Sequence, residues 1–195
     1  MTKDYSQPDF YKFNSDSIDL IRYVTKNFQG ARSILDLCSG CGILGIEITK
    51  SIHANKLTFV EIQPEFLSYL QENCKKFLNE ETEIEIAITS FSKFQSSHKY
   101  DLIVCNPPYY LPGHGEIPKN PQRALARSLM VDSWIILIDK IYDCLHISGA
   151  AFLVLKNDEK LINEITQISR KKNLVLEKKP LEKVVILKLF RLNEK

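Results

Sequence analysis

No stretch of this 195-residue chain stays apolar for long. The longest uninterrupted run, Ala150 to Leu155, is far too short to cross a bilayer, and Met1 to Phe10 contains no apolar segment of signal length. These absences speak against a membrane protein and a secretory leader, and the expectation is a cytoplasmic protein. Five cysteines, odd in number and without framework spacing, fit reduced thiols better than a disulfide scaffold. The four histidines, His53, His98, His114 and His146, lack ligand spacing, and no second C-x-x-C accompanies Cys38 and Cys41, so no metal site is expected. No repeat, low-complexity tract or linker divides the chain. Residues 1–195 therefore read as one domain, residues 1–30 forming a short arm and helix, and a monomer is expected.

Little net charge is present either. The formal value of +2 says less than its distribution: residues 1–117 hold 11 Lys and Arg against 15 Asp and Glu, and residues 118–195 hold 15 against 9. The basic excess includes Arg170-Lys171-Lys172 and Lys178-Lys179. A phosphate backbone can use such a face, although a solvated helix end and hairpin give the same pattern.

Strand-like and helix-like patterns alternate from residue 33 onward, the signature of a doubly wound α/β fold with a mostly parallel sheet and helices on both faces. Strands are expected at Ser33–Leu37, Lys56–Val60, Glu83–Ile88, Leu102–Cys105 and Ala150–Lys156. Helical spacing covers Gly40–Lys50, the segment after Pro64, about Asp132–His146 and about Asp158–Lys172. Leu174–Lys178 and Val184–Arg191 close the chain as β segments with Pro180 in the turn between them. The irregular stretch Asn106–Pro121 has the length of a functional loop or lid.

Asn106-Pro107-Pro108-Tyr109 closes a buried strand. Two prolines remove two backbone donors and force an extended path, so the Asn106 side chain and the Pro107 carbonyl project into whatever cleft lies there. Two acceptors beside an aromatic ring suit a planar amine, its hydrogens taken by Asn106 and Pro107 and its ring stacked on Tyr109. An ordinary Asn-Pro turn is the plainer alternative.

Upstream, Ser33-Ile34-Leu35-Asp36-Leu37-Cys38-Ser39-Gly40-Cys41-Gly42 places an acid at a strand end before a small-residue turn. The dinucleotide fingerprint G-x-G-x-x-G is incomplete here. A carboxylate at Asp36 would repel phosphate and attract an ammonium, while Glu61, ending the next strand, is placed to bond a ribose diol. A nucleoside bearing an amino acid is S-adenosylmethionine. Helix capping is the alternative for either acid. Cys38 and Cys41 also have the spacing of a thiol redox pair, but they are embedded in the Gly-rich turn.

The Asp-Leu-Cys-Ser-Gly-x-Gly turn, Val60-Glu61-Ile62-Gln63 and Asp101 to Tyr109 resemble the motifs of class I S-adenosylmethionine-dependent methyltransferases acting on amino groups. Tyr109-Tyr110, Gly113 and Pro121-Gln122-Arg123-Ala124-Leu125-Ala126-Arg127 are similar to the bacterial family that methylates N6 of the adenine immediately 3′ of a valine tRNA anticodon. The resemblance covers roughly residues 10–160. It implies a seven-stranded Rossmann-like sheet with a last strand inserted antiparallel, S-adenosylmethionine as cofactor and a tRNA anticodon loop as partner. By motif, Asp36, Cys38, Gly40 and Gly42 would form the methionine-end turn, Glu61 the ribose clamp, and Asn106, Pro107, Pro108 and Tyr109 the amine site. Cys38 departs from the first glycine of the general turn. Ser90 stands where the broader family places an Asp that bonds the cofactor's adenine amine, and a hydroxyl can also accept that bond.

Adenine's exocyclic nitrogen is conjugated with its ring, so the lone pair must be turned toward the methyl sulfonium before direct attack; bonds to Asn106 and Pro107 would favour that geometry. Tyr109 and Tyr110 would meet a base swung out of a loop. Arg123 and Arg127, four apart, would grip flanking phosphates if helical, or pair with acids to hold the loop shut. Two rivals stand beside this reading: methylation of a glutamine amide in a translation release factor, and a non-catalytic RNA-binding module.

Overall fold

The computed structural model describes residues 4–107 and 131–192, the side chains of residues 131–133 excepted. Its strands are β1 (Ser33–Leu37), β2 (Lys56–Glu61), β3 (Glu83–Ile88), β4 (Tyr100–Cys105), β5 (Leu145–Lys156), β6 (Leu174–Pro180) and β7 (Val184–Arg191). Its helices are α1 (Ser15–Asn27), α2 (Ile43–Ile52), α3 (Leu67–Phe77), α4 (Val131–Cys144) and α5 (Glu159–Lys171).

The seven strands lie in the order β3-β2-β1-β4-β5-β7-β6. Neighbouring strands from β3 to β5 are parallel, and β7 runs antiparallel between β5 and β6. Residues alternate across the sheet because successive strand side chains point to opposite faces. Ile34, Leu57, Phe59, Leu102, Val104, Phe152 and Ile186 pack with Leu20 and Val24 of α1 and with α2. Leu35, Leu37, Ile103, Cys105, Leu153 and Leu187 pack on the other face with Leu137 and Ile141 of α4 and with Leu161 and Ile165 of α5. α2 is buried from Ile43 to Thr49 because α1 covers its outer side.

Several boundaries differ from the sequence reading, three of them with a clear physical reason. α2 starts at Ile43, not Gly40, since Gly40 and Gly42 adopt φ of 53° and 83° and cannot continue a helix. α4 stops at Cys144 and β5 begins at Leu145, which pairs with Tyr100 before the register shifts and resumes at Ala150 with Leu102. Gly149 permits that close passage, for a Cβ there would lie 2.8 Å from the Asp101 carbonyl oxygen. Pro180 is the last residue of β6, paired with Val185, rather than part of the turn. β6 is an edge strand, where a missing N–H costs no ladder bond.

Candidate active site

In a parallel sheet the strands present their carboxyl ends at one edge, and the loops after β1, β2, β3 and β4 converge there. They enclose a cavity of about 230 Å³. Its wall includes Cys38, Ser39 and Gly40 after β1, Glu61 and Ile62 at the end of β2, Ser90 and Phe91 after β3, and Asn106 after β4.

The turn after β1 is built from left-handed backbone. Gly42 caps α2 with φ 83°, and a Cβ there would press within 3.1 Å of Phe59 Cε1. Gly40 opens on the cavity: the nearest atom to a Cβ added there is Phe66 Cε1 at 3.7 Å. Cys38 adopts φ 60° without being glycine, a conformation that costs about 1 kcal/mol.

Glu61 secures this turn. Its Oε2 accepts from the Gly40 N–H at 2.8 Å and its Oε1 from the Gln63 N–H at 2.9 Å. Burial pushes its pKa up, against the lowering effect of those amides. A carboxylate has about four lone-pair sites, so acceptor capacity remains toward the cavity. Asp36 lies one layer back, on the face toward α2. Its Oδ2 accepts from the Gly45 N–H at 2.9 Å, and the residue is fully buried, not part of the cavity wall. Burial raises its pKa to about 8. Asp36 Oδ1 and Ser39 Oγ are buried without a hydrogen-bond partner among the described residues. An orphaned Ser39 Oγ beside an open glycine turn would suit the charged amino-acid end of S-adenosylmethionine, and the apolar wall of Ile62, Phe66 and Phe91 would suit its adenine.

Of the expected cofactor residues, Cys38, Gly40, Glu61 and Ser90 share the cavity, whereas Asp36 and Gly42 shape the turn from behind. Ser90 Oγ already exchanges a hydrogen bond of 2.8 Å with Ser92 Oγ. Asn106 reaches the same cavity, and its Nδ2 donates to Ser17 Oγ of α1 at 2.9 Å. Pro107 is buried and does not line the cavity. Pro108, Tyr109, Tyr110, Arg123 and Arg127 lie outside the described residues.

Sequence reasoning missed Ser17, Ser39 and the arm before α1. Tyr11 and Phe13 line the cavity, and Tyr11 meets Phe66 edge-on with ring centroids 5.8 Å apart. Buried Asn73 of α3 ties the arm to the turn: its Nδ2 donates to the Ser6 and Cys41 carbonyls, both at 2.9 Å, and its Oδ1 accepts from the Ser6 N–H at 2.8 Å. An aromatic pair two residues apart was the only sequence signal. All five cysteines are free. Burial pushes the Cys41 thiol up to about 12, which leaves almost no thiolate for redox exchange. Among the described residues no helix is long and apolar enough to cross a membrane.

A mostly parallel seven-stranded sheet, one inserted antiparallel strand and a glycine turn facing an acidic strand end define the Rossmann-like class I methyltransferase fold. The chain belongs to the methyltransferase small domain family, matched over residues 13–179. It is 31% identical over 118 residues to a protein of Glaesserella parasuis serovar 5 (strain SH0165) named tRNA1(Val) (adenine(37)-N6)-methyltransferase, covering 60% of this chain and 48% of that protein. It is also 32% identical over 95 residues to a release factor glutamine methyltransferase of Leptospira interrogans serogroup Icterohaemorrhagiae serovar Lai (strain 56601), covering 47% and 33% respectively. The chain thus spans about half the length of the tRNA-modifying relatives it matches. Among solved structures it resembles a T. thermophilus 16S rRNA N2 methyltransferase in complex with AdoMet and guanosine, with a TM-score of 0.68 at 15% identity over 93% of this chain and 44% of that one.

Proposed function

We propose that the protein transfers a methyl group from S-adenosylmethionine to the exocyclic N6 of an adenine in tRNA, the adenine immediately 3′ of the anticodon of a valine tRNA being the leading target. One observation carries the reading. Asn106 opens on the same cavity as Gly40 and Glu61, so an amine acceptor and a nucleoside pocket adjoin.

The cofactor supplies a methyl group already activated on a sulfonium. Glu61 would accept from the ribose hydroxyls, Ser90 from the adenine amine, and the Gly40 turn with Ser39 Oγ would take the charged methionine end, Asp36 bracing that turn from behind through the Gly45 N–H. Ser17 Oγ accepts from Asn106 Nδ2 and so fixes the rotation of the amide. The Asn106 amide would accept an N6 hydrogen and help turn the lone pair out of conjugation with the ring. The nitrogen so oriented would take the methyl group that the bound cofactor supplies, and its proton would pass to water. Positioning does most of the work, and no covalent intermediate is needed. Tyr109 and Tyr110 stack on the extruded base, and Arg123 and Arg127 hold its flanking phosphates.

Mass spectrometry of valine tRNA incubated with the protein and labelled cofactor tests the proposal: label on adenine N6 supports it, and unlabelled RNA rejects it. The Leptospira resemblance favours a second reading, in which a glutamine amide of a release factor meets the same acceptors. Label on a release factor offered in parallel, with none on RNA, would select it.

A further inference from the structure

The fold separates the two basic clusters of the C-terminal region. Arg170 and Lys171 end α5, and Lys172 follows, its Nζ paired with Asp139 Oδ1 at 3.0 Å. They precede β6, at the end of the sheet remote from Asn106. Lys178 and Lys179 lie at the other end. The register runs from Cys105 to Leu153, to Leu187 and to Lys178 across β4, β5, β7 and β6. One row further, beside Asn106, Val154 pairs with Ile186 and Ile186 with Lys179. Three strand spacings separate β4 from β6, about 14 Å.

The lysines of this rim are exposed: Lys178, Lys179 and Lys183 on the β6–β7 hairpin, and Lys156 at the end of β5. Their acidic neighbours are largely engaged. Glu177 pairs with Lys188 at 3.2 Å, and Asp158 caps α5 by accepting from the Leu161 N–H at 3.1 Å. Exposed Glu159 and Glu182 are the remaining acids along this edge. Among the described residues no carboxylate pairs with Lys178, Lys179 or Lys183. Cations without protein partners are neutralised by counterions, and a polyanion that displaces those ions binds with a salt-dependent gain.

Resting on the RNA reading above, we infer that the β6–β7 hairpin is a docking edge for the substrate's sugar–phosphate backbone, with Lys178, Lys179 and Lys183 as its contacts and Lys156 between the edge and the cavity. Phosphate contacts set register without reading sequence. A strand crossing this edge would reach the cavity mouth after about 14 Å, a few nucleotide steps. The edge thereby fixes which base of a loop arrives at Asn106.

The test compares the wild type, the triple variant K178E/K179E/K183E and the far-end control R170E/K171E. For each, tRNA dissociation constants are measured between 50 and 200 mM salt, with cofactor affinity and thermal midpoint alongside. The triple variant should raise the dissociation constant for tRNA at least ~10-fold and reduce the magnitude of the salt slope by about 2, while cofactor affinity and melting stay unchanged. The control should keep the wild-type slope. An unchanged slope in the triple variant, or an equal loss in the control, overturns the docking edge even if tRNA is methylated. Wild-type protein that neither binds nor methylates tRNA but labels a release factor overturns the RNA reading as well.

Discussion

Asn106 Nδ2 donates to Ser17 Oγ at 2.9 Å, joining a strand end to a helix 89 residues earlier in the chain. The bond ties the amide's rotation to the buried Ser17 hydroxyl, and the proposed transfer depends on how that amide is set. Ser17→Ala should therefore lower kcat about 10-fold by releasing the amide rotor, with cofactor affinity unchanged. Ser17→Thr, which keeps the hydroxyl, should restore most of the rate. Equal kcat in all three proteins would remove Ser17 from the mechanism.

Asn106→Ala should nearly abolish transfer while leaving cofactor affinity intact, because on the proposed reading the side chain would meet the amine rather than the nucleoside cofactor. Single-turnover methylation alongside calorimetric titration of S-adenosylmethionine separates the two effects. A variant that transfers normally but binds cofactor poorly would mean that the two halves of the cavity have been interchanged.

Asp36 makes stability depend on pH in an unusual direction. Its carboxyl titrates at about 8 in the fold, against an ordinary 3.8, because burial opposes its charge. Folding then takes up a proton between about pH 4 and 8, so stability falls as pH rises through that window and levels above it. Buried Glu61, also raised, acts in the same direction. Thermal midpoints of the cofactor-free protein should decline from pH 5 to pH 8, and Asp36→Asn should flatten that decline. A wild-type midpoint that rises with pH would show that Asp36 is ionised throughout.

The architecture was legible because its signals are local. Apolar runs such as Leu102–Cys105 mark buried parallel strands, and Gly40, Gly42 and Pro64 punctuate the elements between them. The part of the cavity wall formed by Gly40 and Glu61 was legible for the same reason, since they stand at successive strand ends. The arm was not. Tyr11, Phe13 and Ser17 enter the cavity because Asn73 and Glu47 anchor a segment distant from them in sequence, and periodicity carries no trace of such contacts. The side of the sheet each lysine cluster occupies was equally hidden, being set by chain reversal at residues 172–174.

Gly45 marks the tightest approach of α2 to the sheet. A Cβ there would lie 2.8 Å from Leu57 Cδ1, 2.9 Å from Phe59 Cε1 and 3.1 Å from Asp36 Oδ2. All three neighbours are fully buried, so α2 must shift outward to accept a methyl group. Gly45→Ala should destabilise by about 1–3 kcal/mol despite alanine's better helix propensity. Urea unfolding checks this, and a more stable variant would show that the helix is free to move.

Asn73 is the point where the arm, the turn and α3 meet, and its replacement should register in both stability and binding. The side chain makes three hydrogen bonds while fully buried, two donated to the Ser6 and Cys41 carbonyls and one accepted from the Ser6 N–H. Asn73→Ala leaves these groups without partners, at a cost of about 2–3 kcal/mol in urea unfolding. Tyr5 still anchors the arm through Glu47 at 2.7 Å and by stacking on Phe77 at 4.4 Å, so the variant should fold with a loosened arm rather than lose it. Tyr11 and Phe13 then cease to be a fixed wall, and cofactor affinity should fall ~10-fold, ordering of the arm being charged to binding. Asn73→Asp sharpens the test. It keeps the size and the acceptor for Ser6 but sets a carboxylate against two carbonyls, so its losses should equal or exceed those of alanine. Wild-type cofactor affinity in either variant, at a temperature where it is folded, would separate the arm from the site.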